Sequence, residues 1–254
     1  MKKPIIICTL VAAMLLGYCA AYAQHNDDYA SGVALYYNRH YAGALASFMK
    51  SADSGNADAE EFVAHIYENG LGTQQDIAAA LEWYVKAAEH GSALASFELG
   101  FIYEQGEDVP KAKHTAAQWY KRSMPGVLRR ADSGDARAQN ALGIAYSSGI
   151  EVDKNYDEAL RWFRKAATAG CLPAQNNIGK AYLDGTGVAK DVAEGRKWIE
   201  KAASEGYNVA EYNLGSIYAR GDGVPRDKEM AKYWYKRSAA DGCRNARKQL
   251  MKMK

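Results

Sequence analysis

Residues 206–242 read GYNVAEYNLGSIYARGDGVPRDKEMAKYWYKRSAADG, and this stretch decides the architecture. Ala210, Leu214 and Tyr218 step by four, about one helical turn, and so form an apolar stripe on one face. Gly221 follows, a residue able to take the left-handed conformation that ends a helix. Asp227 then stands where it can cap a second helix, which carries Ala231 and Trp234 and runs to Gly242. Between the two lies Arg220-Gly221-Asp222-Gly223, which could be a phosphate cradle, a cation loop, an adhesion tripeptide or a corner. A phosphate loop needs a preceding strand and a lysine-bearing helix start. A calcium loop needs several alternating carboxylates. Neither pattern is present, and the segment reads as a corner.

The same arrangement recurs along the chain. Trp83, Trp119, Trp162, Trp198 and Trp234 each fall 28 residues after a glycine: Gly55, Gly91, Gly134, Gly170 and Gly206. Those glycines are 36 apart except for one step of 43, and Gly242 closes the series. A period of this size predicts stacked helix pairs, an all-α solenoid. Counting each repeat from its glycine as position 0, position 4 is always alanine, position 12 tyrosine and position 15 glycine. Gly72, Gly187 and Gly223 share position 17, whereas Arg220 and Asp222 have no counterparts, which again marks a corner. Small residues at positions 4, 9 and 25 let the two backbones approach, and the Tyr and Trp rings fill the remaining space.

The pattern A-x3-LG-x2-Y-x2-G-x-G-V, then A-x2-W-x3-AA-x2-G, resembles the Sel-one-like repeat family, relatives of tetratricopeptide repeats. Ala210, Leu214, Gly215, Tyr218, Gly221, Gly223, Val224, Ala231, Trp234 and Gly242 carry it in the last copy. The copies span 55–90, 91–133, 134–169, 170–205 and 206–242. Departures are Ala64 for the first-helix glycine, Asp108 and Glu151 for the second loop glycine, and Gly195 for the second-helix alanine. Residues 24–54, with Gly32, Leu35, Tyr36, Tyr41, Ala44, Phe48 and Ala52, resemble a tetratricopeptide unit serving as an N-terminal cap. Residues 243–254 read as a capping helix with a basic outer face. The resemblance implies a right-handed superhelix of antiparallel helix pairs that binds proteins or peptides. Exported bacterial members resemble adaptors, or factors that meet envelope or host proteins.

The bulk composition agrees with a folded chain: 254 residues, 48% apolar and 24% charged. Lys2 and Lys3, the apolar run Ile5 to Leu16 and Ala21-Tyr22-Ala23 have the order of a secretory signal, so residues 1–23 are expected to be removed. The rival is lipidation at Cys19, disfavoured by Tyr18 where a small residue is wanted. A periplasmic or secreted protein is expected, with no later segment of the ~18 apolar residues a membrane span needs. Losing two of 32 basic residues leaves 30 against 30 acidic, a balance that argues against nucleic acid as a partner. The charge is graded, however. Residues 24–91 hold 3 basic and 10 acidic side chains, and 207–254 hold 11 and 5. Such a gradient could align partners, or it is drift on solvated faces.

Side chains that recur at one register build the stack, so recognition should lie where the copies differ. Positions 6 and 10 on the first helices vary most: Glu61, Phe97, Asn140, Asn176 and Tyr212, then His65, Phe101, Ile144, Lys180 and Ser216. The resemblance places first helices on the concave face. A groove of Phe97, Phe101, Asn140, Asn177, Lys180, Tyr212, Asn213 and Arg220 is therefore expected to bind an extended segment of a protein or peptide. Asn177 and Asn213 could clamp a peptide backbone, or bond to their own helix or the neighbouring repeat.

The 43-residue step isolates Met124–Arg130 as an insertion of about two helical turns. It predicts a longer second helix bent at Pro125, with a gripping ledge of Val127, Leu128, Arg129 and Arg130 as the alternative. Ser47-x-x-Lys50 matches one element of penicillin-interacting enzymes, and the cysteine-rich relatives suggest a hydrolase or β-lactam binder as the runner-up. Neither S-D-N nor K-T-G occurs, though, and the serine falls on a cap helix. The histidines are scattered without metal-ligand spacing. Cys171 and Cys243 both stand at position 1, two repeats apart, about 20 Å at ~10 Å per repeat. That exceeds the ~7 Å between Cα atoms that a disulfide allows. A monomeric, non-catalytic binding protein with no metal or cofactor is the expectation.

Overall fold

A computed structural model describes residues 27–107 and 109–253. The expectations for the signal segment, for Cys19 and for Asp108 concern residues outside that range. Among the described residues there are thirteen helices and no strand. The chain divides into two compact units after Gly91.

The first unit holds α1 (27–37), α2 (Tyr41–Ala52), α3 (Ala57–Asn69) and α4 (Ile77–Glu89). The connection from α1 to α2 is short and turns at Arg39 with φ 63°. Its core is a stack of Phe48 on Phe62, centroids 4.5 Å apart and planes 5° from parallel, with Trp83 packed at the edge. At the end of α4, His90 Nδ1 and Lys86 Nζ lie 2.8 and 3.2 Å from the fully buried carboxylate of Glu60. His90 thus has an acidic partner.

The second unit runs through α5 (Ala93–Gln105), α6 (Lys113–Asp132), α7 (Ala136–Ser148), α8 (Tyr156–Thr168) and α9 (Leu172–Asp184). It continues with α10 (Val192–Ser204), α11 (Asn208–Arg220), α12 (Lys228–Ala240) and α13 (Arg244–Lys252). Each helix packs on the next, so this unit is a solenoid of antiparallel pairs.

The turn inside each pair has one design in all five copies. The position-15 glycine ends the first helix with φ between 64° and 81°. The chain then folds back so that the N–H at position 21 donates to the carbonyl of the position-12 tyrosine. These bonds are Asp76 to Tyr67, Ala112 to Tyr103, Asn155 to Tyr146, Asp191 to Tyr182 and Asp227 to Tyr218, at 2.9–3.0 Å. The bond satisfies a carbonyl of the helix's last turn that has no partner within the helix. Asp76, Asn155, Asp191 and Asp227 also cap the second helix with their side chains. Ala112 has the same extended φ, −137°, but nothing to cap with. Ala112→Asp is therefore expected to add about 1 kcal/mol, seen as a higher urea midpoint by circular dichroism.

Small residues set the distance within each pair. A Cβ added at Gly143 would meet the Phe163 ring at 2.5 Å, and one at Gly215 would meet Tyr235 at 2.8 Å. Side chains at positions 4 and 8, such as Ala138 and Leu142 or Ala210 and Leu214, are buried behind these contacts.

Three tryptophans of the second unit wedge between neighbouring repeats. Trp162 of α8 joins the cluster built from α5, α6 and α7, Trp198 packs on that of α8 and α9, and Trp234 on that of α10 and α11. A cation three residues on covers each indole. Lys86, Arg122, Lys165, Lys201 and Arg237 lie 3.9–5.8 Å from the ring centroids of Trp83, Trp119, Trp162, Trp198 and Trp234. This explains how most of the rings remain only half-buried yet hold their register.

The insertion lengthens α6 to 20 residues against 13 for the other second helices, and Pro125 lies inside it without ending it. Val127 is 0% exposed in the core, and Arg130 is bound to Asp135 at 2.6 Å. Of the proposed ledge, only Leu128 and Arg129 face outward.

Candidate binding face

The first helices of the second unit, α5, α7, α9 and α11, form a continuous series. α5 packs on α7, and α9 on α11. Side-chain amides bridge the steps: Asn177 Nδ2 donates to Asn140 Oδ1 at 3.0 Å, and Asn213 Nδ2 to Asn176 Oδ1 at 2.7 Å. Both asparagines thus bond to the neighbouring repeat. Each bond spends one amide hydrogen, and Asn177 and Asn213 remain only half-buried.

The expected groove residues separate into three kinds. Phe101 is 43% exposed and Lys180 is exposed, both without an ion pair or ring contact among the described residues. Asn140, Asn177 and Asn213 belong to the amide bridges, and Tyr212 is half-buried with its ring 5.7 Å from that of Tyr235. Phe97 must be corrected. It is 2% exposed, its ring 5.2 Å from Tyr120, and it belongs to the core. Position 6 is buried in three copies, as Glu61, Phe97 and Asn176, and half-buried at Asn140 and Tyr212. Arg220 is exposed, but its Nε binds Asp222 Oδ2 at 2.7 Å, so the Arg-Gly-Asp segment closes on itself at the corner.

Position 5, passed over in the sequence, holds buried polar side chains in every copy: Glu60, Ser96, Gln139, Gln175 and Glu211. Glu211 lies 2.9 Å from Arg237, and Gln139 donates to the Ala131 carbonyl at 3.1 Å. The signal was there, as an unbroken polar series beside the invariant position-4 alanine.

The electrostatics describe a packed scaffold. Burial pushes the Tyr120 hydroxyl well above its ordinary range, and its bond to Glu104 pushes it further. Burial likewise raises the Cys171 thiol, which keeps it from being a reactive thiolate. At Asp135, burial acts upward, but the Ala138 N–H and the Arg130 guanidinium outweigh it and hold the carboxyl below its usual range. Cys171 and Cys243 are free thiols. Among the described residues no group of three or more His, Cys, Asp or Glu is placed to hold a metal ion. Nor is any helix there long and apolar enough to cross a membrane. Ser47 and Lys50 lie on α2, the lysine exposed in the last turn.

Helix pairs of one design, carrying a varied row of side chains on their first helices, define an all-α repeat scaffold. The chain belongs to the Sel1 repeat family, whose sequence model matches residues 57–92, 93–123, 136–171, 172–207 and 208–243. Among solved structures it is similar to a Sel1 repeat protein from Oxalobacter formigenes: 35% identity, 87% of this chain and 88% of that one covered, TM-score 0.45. It is also similar to a putative sel1 repeat protein from Klebsiella pneumoniae subsp. pneumoniae: 18% identity, 82% and 98% covered, TM-score 0.52. A third is immunity protein Pa5087 from Pseudomonas aeruginosa: 27% identity, 75% and 67% covered, TM-score 0.45. No curated protein matches.

Proposed function

We propose that this chain is an exported, non-catalytic scaffold that holds a protein or peptide on the first-helix face of its second unit. One observation carries the reading. The side chains that recur are spent on packing, whereas Phe101, Lys180 and the half-buried amides vary from copy to copy and stay open to a partner. Membership of a repeat family suited to protein contacts supports it. Export rests on the signal-like residues 1–23. In this reading the scaffold acts as a monomer and uses no cofactor.

The test is site-specific crosslinking in the native cell envelope. A photoreactive phenylalanine at 101, 144 or 180 should yield a discrete protein adduct, and the same group at the exposed outer position Lys197 should not. Adducts from Lys197 with none from the three inner positions would remove the face from consideration.

A further inference from the structure

The varied face has a polarity from one end to the other, and this constrains what it can hold. At the α5 and α7 end, position 10 carries Phe101, 43% exposed, and the half-buried Ile144. One repeat on, the same register carries Lys180, exposed and without an ion pair among the described residues. The amide bridges Asn140–Asn177 and Asn176–Asn213 line the row beside this change from apolar to cationic. The only carboxylate at position 7 in the row is Glu98 on α5, on the apolar side of the row. An acidic side chain would thus find a cation at the Lys180 end of this register and apolar side chains at the other.

We infer that the face selects an extended segment bearing an apolar side chain against Phe101 and Ile144 and an acidic side chain against Lys180. This rests on the reading of the first-helix face as the binding surface. The spacing follows from geometry. Neighbouring helices lie about 8–10 Å apart, and an extended chain advances about 3.3 Å per residue. One repeat therefore corresponds to about three residues, and the acid stands about three residues from the group on Ile144 and about six from that on Phe101. The amides between them offer paired donors and acceptors to backbone of any sequence, so side-chain choice falls to the two ends.

A random 12-residue peptide library displayed on phage, selected on the full chain, tests this. Peptides enriched on the unaltered protein should pair an aromatic or aliphatic residue with Asp or Glu about three to six positions away. Lys180→Glu should select Lys or Arg at the acid's place, and Phe101→Ser should lose the apolar preference. The best synthetic peptide should bind Lys180→Glu at least tenfold more weakly and lose affinity as salt rises. Both substitutions are at exposed positions, and matched thermal unfolding checks that the fold is kept. Peptides that depend on Phe101 but show no acidic bias and ignore Lys180→Glu would overturn the inference while leaving the face in place. Peptides indifferent to both variants, or no enrichment at all, would overturn the face and the inference together.

Discussion

Trp162→Ala is expected to cost the second unit about 3–5 kcal/mol, the range for removing a large buried ring. Trp162 is 6% exposed and touches a cluster drawn from α5, α6 and α7, with Lys165 3.9 Å and Arg161 5.4 Å from its ring. Removing the indole opens a cavity where two repeats meet and strips two cations of the face they cover. In a repeat array such a loss falls on the coupling between neighbours, so the transition should broaden as well as shift. Urea unfolding followed by far-ultraviolet circular dichroism reads both effects. Trp234→Ala, at a half-buried ring, should cost less. Equal, small losses at both sites would show that the rings do not couple the repeats.

Gly195→Ala should destabilise by about 2 kcal/mol, although alanine stands at this register in the other four copies: Ala80, Ala116, Ala159 and Ala231. An added Cβ would lie 2.7 Å from the Gly179 carbonyl oxygen and 3.0 Å from the Leu183 backbone nitrogen. Backbone atoms cannot swing aside as a ring edge can, so α9 and α10 would have to separate. Helix propensity favours alanine by about 1 kcal/mol, less than the usual cost of overfilling a packed contact, up to about 3 kcal/mol. The neighbouring position 29 explains the exception. It holds Ile199 where other repeats place Tyr84, Tyr120, Phe163 or Tyr235, and the smaller side chain lets the helices close until two glycines face each other. A urea midpoint raised by the substitution would refute this account.

Most of the architecture was legible because it is written five times. Glycines in register gave the turns, the position-4 and position-8 stripe gave the core, and Trp gave the inter-repeat wedge. Less of the face could be read. Variation in register singles out positions, but it does not say which way a side chain points. Phe97 is as variable in register as Phe101, yet one lies under Tyr120 and the other is open. The asparagine bridges were hidden for another reason. Their partners sit 37 residues apart, one more than the repeat, so a comparison of equal positions never sets them side by side. The Lys or Arg above each Trp recurs as plainly as the glycines and needed only the geometry of a helix to be seen.

The hydrogen bond from position 21 to the tyrosine carbonyl fastens each hairpin using only its own residues. The contacts that close each hairpin are near in sequence, which favours rapid folding. The number of hairpins is then a free variable. Gain or loss of one 36-residue module alters the length of the first-helix row by a fixed increment.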